Sequence, residues 1–367
     1  MAISEKQNKH SADGAGPHLL VRRPKLADVA NAAGVAINTA SMILNDRPNC
    51  WASETTRKRV LAAAQRLAYR PNRIALAVKR GRFDTLGLIV PDLNNPFFTS
   101  LADQIEQAAE ARGCDLVVEH SRVDLKREVH CLESILDRQV DGIIACLMDP
   151  PFQSDVLKKQ LKFGVPIVVA GPEGRQPLPV DLVTVDVDGG LRRALSYLKR
   201  KGHTRIAFIR ALAENQGDNL RQETFFRIAA ELDLGFAGVD VSAESSDHSL
   251  AGARAAFQRL ITKCRNKRPT AVVGLNDLCA LGALRGAQEA GLHVPRDLSI
   301  IGVDNISLCE YITPSLTTIS QPVREIALHA VKMLCQRING QGASEPTVKK
   351  LPSKLILRES SGSAPQG

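Results

Sequence analysis

The sequence has no apolar run that approaches the roughly 18 residues of a membrane span, and its first twenty residues hold no stretch long enough for a secretory signal. These absences argue against a membrane partner and predict a cytoplasmic protein. The eight cysteines and eight histidines form no CxxC pair, HExxH motif or other ligand spacing, so we expect reduced thiols and no bound metal. Residues 1–23 are predicted to be a disordered tail.

Motifs of the common nucleotide-dependent enzymes are also missing. No GxGxxG or GxxxxGK[ST] opens a predicted helix, which argues against dinucleotide and nucleoside triphosphate cofactors. Serine, histidine and carboxylate side chains are present, but none lies in a GxSxG elbow or a similar setting. The sequence therefore predicts no catalytic residue, no cofactor and no enzyme activity.

The charge of the chain is concentrated at one end. Residues 1–82 hold 15 lysines and arginines against 5 acidic residues, whereas the rest of the chain holds 33 against 34. A basic segment on a neutral body is typical of a protein in which one module meets a polyanion, because phosphate neutralisation needs a local density of cations. A solubilising basic tail is the alternative, but this segment is not of low complexity.

Residues 24–70 carry the periodicity of three short helices. The first two, joined at Gly34, match a helix-turn-helix, although an ordinary helical hairpin has the same pattern. Ser53 is a favourable N-cap for the third helix, which strengthens the first interpretation. The predicted apolar positions are Leu26, Val29, Ala30, Ala33, Ile37, Ala40, Ile43, Leu44, Val60, Leu61, Ala64 and Leu67.

Residues 71–82 form a predicted hinge, in which Pro71 and Asn72 open a short helical segment that Gly81 closes. Such a segment is too short to be stable alone. It is either a plain linker or an element that folds when a partner is present.

Residues 83–367 alternate apolar strands with helical stretches. Runs of β-branched residues without alternation indicate parallel strands covered on both faces, so we predict a doubly wound α/β body. The predicted strands are 86–90, 115–119, 141–147, 166–170, 182–186, 205–209, 270–275, 299–303 and 316–320, with a weaker one near 239–241. Ten strands are too many for one small sheet. The halves beginning at Thr85 and Thr204 are alike, so we expect two lobes with a cleft between them.

Several motifs resemble the lactose/galactose repressor (LacI/GalR) family of bacterial transcription regulators. They are KLADVANAAGV, ETTRKRVLAAAQRLAYRPN, LGLIVPD, VVGLNDLCALGALRGAQEAGLHVPRDLSIIGVDN and a closing LILRES, and they occur in the family's order from about Lys25 to Ser360. The resemblance implies a nucleoid-associated homodimer that binds double-stranded operator DNA. It also implies a body like periplasmic sugar-binding proteins, with a small sugar-like effector between the lobes that alters operator affinity.

The resemblance also implies which residues contact DNA. Base reading falls to Ile37, Asn38 and Met42, phosphate contact to Thr39, Ser41, Asn45, Ser53 and Thr56, and minor-groove contact to Asn72, Ala75 and Val78 of the hinge. Val78 stands where relatives carry a leucine that wedges into a base step. Lys25, Ala36 and Met42 replace the family's usual Thr, Ser and Arg, which affects the operator sequence rather than the role in DNA binding.

In the body the resemblance implies an effector site. Its residues are Phe97 and Phe98 in the loop after the first strand, Arg221, Asn276 and Asp304 in the second lobe, and Gln321 on the returning segment. Charged and amide groups of this kind bind hydroxyls directionally, and an aromatic ring covers an apolar sugar face. Individually, asparagines and aspartates at strand ends often cap helices, and phenylalanines often lie in the core. Cys146 and Gly171 stand where relatives often place an acidic or amide contact.

Two other function classes compete with a ligand-responsive repressor. A free solute-binding protein is opposed by the basic N-terminal module and the missing signal peptide. An α/β enzyme acting on a sugar is opposed by the missing catalytic constellation.

Overall fold

A computed structural model divides the chain into two compact units, Met1–Gly81 and Arg82–Gly367. The structure describes residues 24–46, 50–71, 77, 80–147, 157–172, 177–209, 220–236, 250–264 and 268–366. The predicted tail and most of the predicted hinge, including Asn72, Ala75 and Val78, lie outside the described residues. Their predictions therefore remain predictions.

In its described residues from 24 to 71, the first unit forms three helices: α1 (Leu26–Ala33), α2 (Ile37–Leu44) and α3 (Glu54–Arg66). Gly34 ends α1 in the left-handed conformation, with φ at +62°, which lets the chain turn tightly into α2. Ser53 caps α3 by accepting a hydrogen bond from the Thr56 backbone N–H at 3.2 Å. The predicted turn and the predicted cap are both confirmed.

The three helices share one small core, formed by Val29, Ala30, Ala33, Ala40, Ile43, Val60, Ala63 and Ala64. Two predicted apolar positions are exposed instead, namely Ile37 and Leu61. The buried face of α3 follows the i, i+3, i+4 pattern from Val60 through Ala63 and Ala64, which turns Leu61 outward. Placing Leu61 in the core was therefore wrong.

The described residues of the second unit form twelve strands: β1 (Thr85–Val90), β2 (Asp115–His120), β3 (Gly142–Ala145), β4 (Ile167–Ala170), β5 (Asp181–Val185), β6 (Arg205–Ile209), β7 (Gly235–Phe236), β8 (Ala271–Gly274), β9 (Ser299–Asp304), β10 (Thr317–Ser320), β11 (Val348–Leu351) and β12 (Lys354–Ile356). The helices that lie wholly within the same residues are α4 (Pro96–Glu110), α5 (Leu125–Asp137), α6 (Val187–Arg200), α7 (Leu220–Glu231), α8 (Leu250–Lys263), α9 (Asp277–Glu289), α10 (Leu308–Tyr311) and α11 (Val323–Ile338).

The strands form two six-stranded sheets. The first has the order β11-β5-β4-β3-β1-β2, and the second has the order β12-β10-β9-β8-β6-β7. We call the sheets with their helices the first and second lobes. The chain passes between the lobes after β5, after β10 and after β11. This confirms the predicted two-lobed α/β body with helices between parallel strands.

Helices cover both faces of each sheet. In the first lobe α4 and α11 pack together on one face, and α5 covers the other with Cys131, Leu132 and Ile135. In the second lobe α8 and α9 form one layer and α6 and α7 the other. Strands covered on both faces are buried over most of their length, which explains their unbroken apolar runs.

Two edge strands were not predicted. Strand β11 has the sequence VKKL and is exposed at its first three residues. Strand β12 pairs antiparallel with β10, unlike the parallel pairs elsewhere. An edge strand has a single hydrogen-bonding neighbour and needs no continuous apolar run, so its sequence lacks the signal of a central strand. The weak strand predicted near 239–241 lies outside the described residues, just after the two-residue β7.

None of the eight cysteines forms a disulfide bond, and six of them are buried. Among the described residues no helix is long and apolar enough to cross a membrane. The same part of the chain contains no group of three or more histidine, cysteine or acidic side chains arranged to hold a metal ion.

Candidate functional site

A cavity of about 200 Å³ lies between the two sheets of the second unit. Residues at or just beyond the carboxyl ends of strands from both lobes line it, which is where open α/β sheets bind ligands. The structure brings all six predicted effector residues to this cavity: Phe97, Phe98, Arg221, Asn276, Asp304 and Gln321.

The second lobe contributes a row of polar side chains. Arg221 lies in the first turn of α7, after β6, and Asn276 follows β8. Asp304 ends β9, and Gln321 follows β10. Because these strands are parallel neighbours in the sheet, their carboxyl ends bring four polar groups from distant parts of the chain to one edge.

Asp304 is the buried carboxylate of this row. Burial raises the pKa of Asp304, the nearby charge of Arg221 lowers it, and the nearby charge of Asp277 raises it further. Gln321 donates from Nε2 to Asp304 Oδ1 at 2.6 Å. The backbone of Asp304 is strained, with φ at +119°, and such conformations often mark functional sites.

Arg221 and Asn276 each have donors left for a ligand. One guanidinium nitrogen of Arg221 donates to the Leu275 carbonyl, and no carboxylate of the described residues lies within ion-pair distance of this arginine. Asn276 caps α9, because its Oδ1 accepts from the Cys279 N–H at 2.8 Å. Its side-chain amide nitrogen has no partner in the described part of the chain, so capping and ligand binding are compatible.

Asp277 supports the row and was not identified from the sequence. Its fully buried carboxylate accepts from the Ile306 N–H at 2.9 Å, from Thr318 Oγ1 at 2.6 Å and from Cys309 Sγ at 3.2 Å. Burial raises its pKa, and these hydrogen bonds oppose that rise. Asp277 thereby ties the start of α9 to the segment that follows Asp304. An aspartate directly after Asn276 was the available signal, but its partners are about 30 to 40 residues away in sequence.

The first lobe presents mainly apolar groups to the cavity. Phe97 and Phe98 pack edge to face, with ring centroids 5.2 Å apart. They lie in the first turn of α4 rather than in a loop, because Asn95 caps that helix through a 3.0 Å hydrogen bond to the Phe97 N–H. This corrects the predicted position of both rings. Cys146 and Gly171 also line the cavity, and burial raises the pKa of Cys146 to about 12, so its thiol is uncharged at neutral pH.

The first unit presents its predicted base-reading residues at the start of α2. Ile37 and Asn38 are exposed, with Ile37 at 51%, and Met42 is half-buried one turn further on. Thr39 and Ser41 are also half-buried. An exposed isoleucine at a helix N-terminus has no role in the core of this unit.

The remaining predicted phosphate contacts lie at two helix ends. Asn45 ends α2 and donates from Nδ2 to the Ser41 carbonyl at 2.7 Å, so part of its hydrogen-bonding capacity is used within the helix. Ser53 and Thr56 bring their hydroxyl oxygens within 3.0 Å of each other at the start of α3. A helix N-terminus with two hydroxyls suits a phosphate.

Trp51 is another feature of this unit that the sequence analysis did not single out. It is the only tryptophan in the chain, and it is 99% exposed in the segment before α3. No local pattern predicts the exposure of a single aromatic residue between two helices.

Comparisons with known proteins match both units. Residues 25–72 match the family model described as bacterial regulatory proteins, lacI family, and residues 195–361 match a periplasmic binding protein-like domain. Catabolite control protein A from Priestia megaterium is 32% identical over 334 residues, which cover 91% of this chain and 98% of that protein.

Solved structures show the same similarity. The lac repressor dimer bound to operator and the anti-inducer ONPF is 25% identical with a TM-score of 0.78, covering 92% of this chain and 99% of that one. A complex of the transcriptional regulator CelR with cellobiose is 28% identical with a TM-score of 0.66, covering 92% and 100%.

Proposed function

This chain belongs to the LacI family of bacterial regulatory proteins, and we propose that it is an operator-binding repressor controlled by a small sugar-like ligand between its lobes. It acts as a homodimer, as the lac repressor does on its operator. Its place is the cytoplasm, associated with the nucleoid, and it has no enzyme activity of its own.

The observation that carries the proposal is the meeting of Arg221, Asn276, Asp304 and Gln321 at one cavity. These groups combine a cation, a carboxylate and two amides, which can donate to and accept from neighbouring hydroxyls of one ligand. A ligand that contacts both lobes binds one lobe arrangement more tightly than another, and that difference is the free energy available to change operator affinity.

The first unit is proposed to read operator DNA through α2. Asn38 makes the main polar base contact, because Ile37 and Met42 have no hydrogen-bonding groups for it and instead suit thymine methyls. Thr39, Ser41, Asn45, Ser53 and Thr56 hold phosphates and set the register. Asn72, Ala75 and Val78 of the hinge enter the minor groove.

The experiment is operator titration with and without ligand. A thermal-shift screen of sugars, polyols and their acids on the full chain identifies a ligand, since binding to the native state raises stability. Operator affinity is then measured with and without that ligand for wild type, Arg221→Ala and the exposed Arg259→Ala as a matched control.

We expect the ligand to change operator affinity in wild type and in Arg259→Ala, and to have no effect in Arg221→Ala. A wild-type ligand response in Arg221→Ala would place the effector site elsewhere. Failure of the unliganded and liganded protein alike to prefer any operator over random DNA would refute the repressor itself.

A further inference from the structure

A groove of about 820 Å³ lies between α6 and β12 of the second lobe. One side is formed by α6, through Arg192, Arg193, Ser196, Tyr197 and Arg200, and the other side by residues 353–357. No residue lines both this groove and the effector cavity. The groove is therefore a separate site, which the proposed function does not use.

The strand on one side of the groove is an edge strand. Among the described strands, β12 has a single hydrogen-bonded neighbour, β10, with which it pairs antiparallel from Lys354 to Ile356. Apart from that pairing, no hydrogen bond among the described residues involves the backbone of Lys354, Leu355 or Ile356. An edge strand presents unpaired N–H and C=O groups to a chain that lies beside it. Strand β12 therefore has one side open to a further strand.

The groove is strongly basic. Four cationic side chains line it, namely Arg192, Arg193, Arg200 and Lys354, and no carboxylate of the described residues does so. Arg192 is paired with Glu231 at 2.5 Å, and Arg193 donates to the Ser353 carbonyl at 2.7 Å. Arg200 and Lys354 are exposed and make no ion pair or hydrogen bond with another described residue. Two cations of the groove are thus left for an anionic group.

These cations lie on both faces of a strand added to β12. Arg193, Ser196 and Arg200 are spaced at i, i+3 and i+7, so they share one face of α6. Leu355 packs against the core cluster to which α6 contributes. Because successive residues of a strand point to opposite faces, Lys354 lies on the other face of the sheet. An added strand would therefore have arginines near one face and a lysine near the other.

The charge of the groove selects the kind of strand that can lie there. A lysine on an edge strand opposes pairing with an apolar strand. A second copy of β12 would bring Lys354 and the α6 arginines of both copies together, and like charges on paired strands are destabilising. An acidic strand instead gains opposite-charge pairs with the same side chains.

We propose that this groove binds an extended acidic segment of a partner protein, which adds a strand to β12. Backbone hydrogen bonds to residues 354–356 hold the segment, and carboxylates at alternate positions face Arg193 and Arg200. The segment that fits is a short run in which acidic residues alternate with β-branched ones, since β-branched residues favour the extended conformation.

The first experiment measures the binding of three blocked hexapeptides to the full chain by calorimetry. One alternates glutamate with valine, one alternates lysine with valine, and one has the glutamate sequence with every backbone nitrogen methylated. We expect the glutamate peptide to bind and the lysine peptide not to bind at millimolar concentration. The methylated peptide should bind more weakly by roughly tenfold or more, because it has no backbone donors. The proposal is overturned if the glutamate peptide does not bind, or if either of the others binds as tightly.

The second experiment reverses one charge of the groove. Arg200→Glu should weaken binding of the glutamate peptide by roughly tenfold, because repulsion replaces attraction. Arg200 is exposed and unpaired among the described residues, so the variant keeps the fold. Arg259→Glu makes the same change on α8, in the other helix layer of this lobe, and should bind like wild type. Wild-type affinity in Arg200→Glu, or an equal loss in both variants, would contradict binding at this groove.

Hydrogen exchange locates the added strand. The glutamate peptide should slow amide exchange in residues 353–357, because strand addition pairs the open N–H groups of β12. Strand β7, at the other edge of the same sheet, is the internal control, and its exchange should not change. Unchanged exchange at β12 in the presence of bound peptide would overturn the proposal, whatever the result at β7.

Discussion

Replacing Asp277 with alanine tests whether this buried carboxylate holds the cavity edge together. The change leaves the Ile306 N–H and the Thr318 hydroxyl without their acceptor in a fully buried site. Each unsatisfied buried donor costs about 1–3 kcal/mol. The loss is offset in part, because alanine also removes the cost of burying a charge, so we expect a net destabilisation of about 3 kcal/mol.

Thr318→Val is the matched variant. Valine is similar in shape and removes the 2.6 Å hydrogen bond to the carboxylate, together with the 3.3 Å hydrogen bond that the Thr318 hydroxyl accepts from the Asn305 N–H. A hydrogen bond to a charged group contributes about 1.5–3 kcal/mol, so this variant should lose about 2 kcal/mol. Asp277→Ala should therefore be the more destabilised of the two.

The pH dependence gives a second signature. Burial raises the pKa of Asp277, so the folded protein takes up this proton at a higher pH than the unfolded chain does. Wild type therefore gains stability as the pH falls through the raised pKa, and Asp277→Ala lacks that gain. The stability difference between them should be larger at pH 5 than at pH 8. Asp304 acts in the same direction, since burial raises its pKa and the nearby charge of Asp277 raises it further.

Urea unfolding followed by far-ultraviolet circular dichroism measures these differences. A loss in Asp277→Ala no larger than in Thr318→Val, or a difference that shrinks from pH 8 to pH 5, would refute the proposed role of this carboxylate.

Four further predictions concern the two binding sites. Arg221→Ala should weaken ligand binding by orders of magnitude and leave the operator affinity of the unliganded protein unchanged. Calorimetry measures the ligand affinity and a gel shift measures the operator affinity. A wild-type ligand affinity in this variant would contradict the placement of the effector site. Because burial raises the pKa of Asp304, its carboxylate becomes protonated at a higher pH than an exposed carboxylate does. Ligand affinity should therefore fall between pH 8 and pH 6. A ligand affinity that does not change with pH would argue against Asp304 as a hydrogen-bond acceptor for the ligand. Asn38→Ala should cost about 1–3 kcal/mol of operator-binding free energy and relax sequence specificity at one base position, whereas Thr39→Ala should weaken binding to all DNA sequences alike. Equal losses of affinity for operator and random DNA in Asn38→Ala would show that Asn38 does not read a base. Val78→Leu should tighten operator binding and increase the bend seen with circularly permuted fragments, and no change in either would show that the hinge does not intercalate.

Local signals predicted most of the architecture. The turn at Gly34 and the cap at Ser53 are short-range features, because one backbone conformation and one hydrogen bond define each. Nine predicted strands lie within two residues of the observed bounds, since burial on both faces imposes an apolar run that is visible in the sequence. The edge strands β11 and β12 carry no such run and were missed.

The candidate effector site was only partly within reach of the sequence. The resemblance named six lining residues, and the structure brings all six to one cavity. It did not identify Asp277, whose partners Ile306, Cys309 and Thr318 follow it by 29 to 41 residues. A hydrogen-bond network that joins the start of α9, the segment after β9 and the strand β10 leaves no pattern in any one segment.

The sequence by itself determined the order of elements, the basic first unit, the family and the identity of the polar groups, because each depends on local composition or on a contiguous motif. Only the tertiary structure decided which groups face each other. The polar ends of β8, β9 and β10 meet the apolar ends of β3 and β4 because two separate sheets point their carboxyl edges at the same cavity. That pairing depends on where the chain crosses between the lobes, and so the meeting of polar and apolar groups at one cavity is a property of the fold rather than of any segment of the sequence.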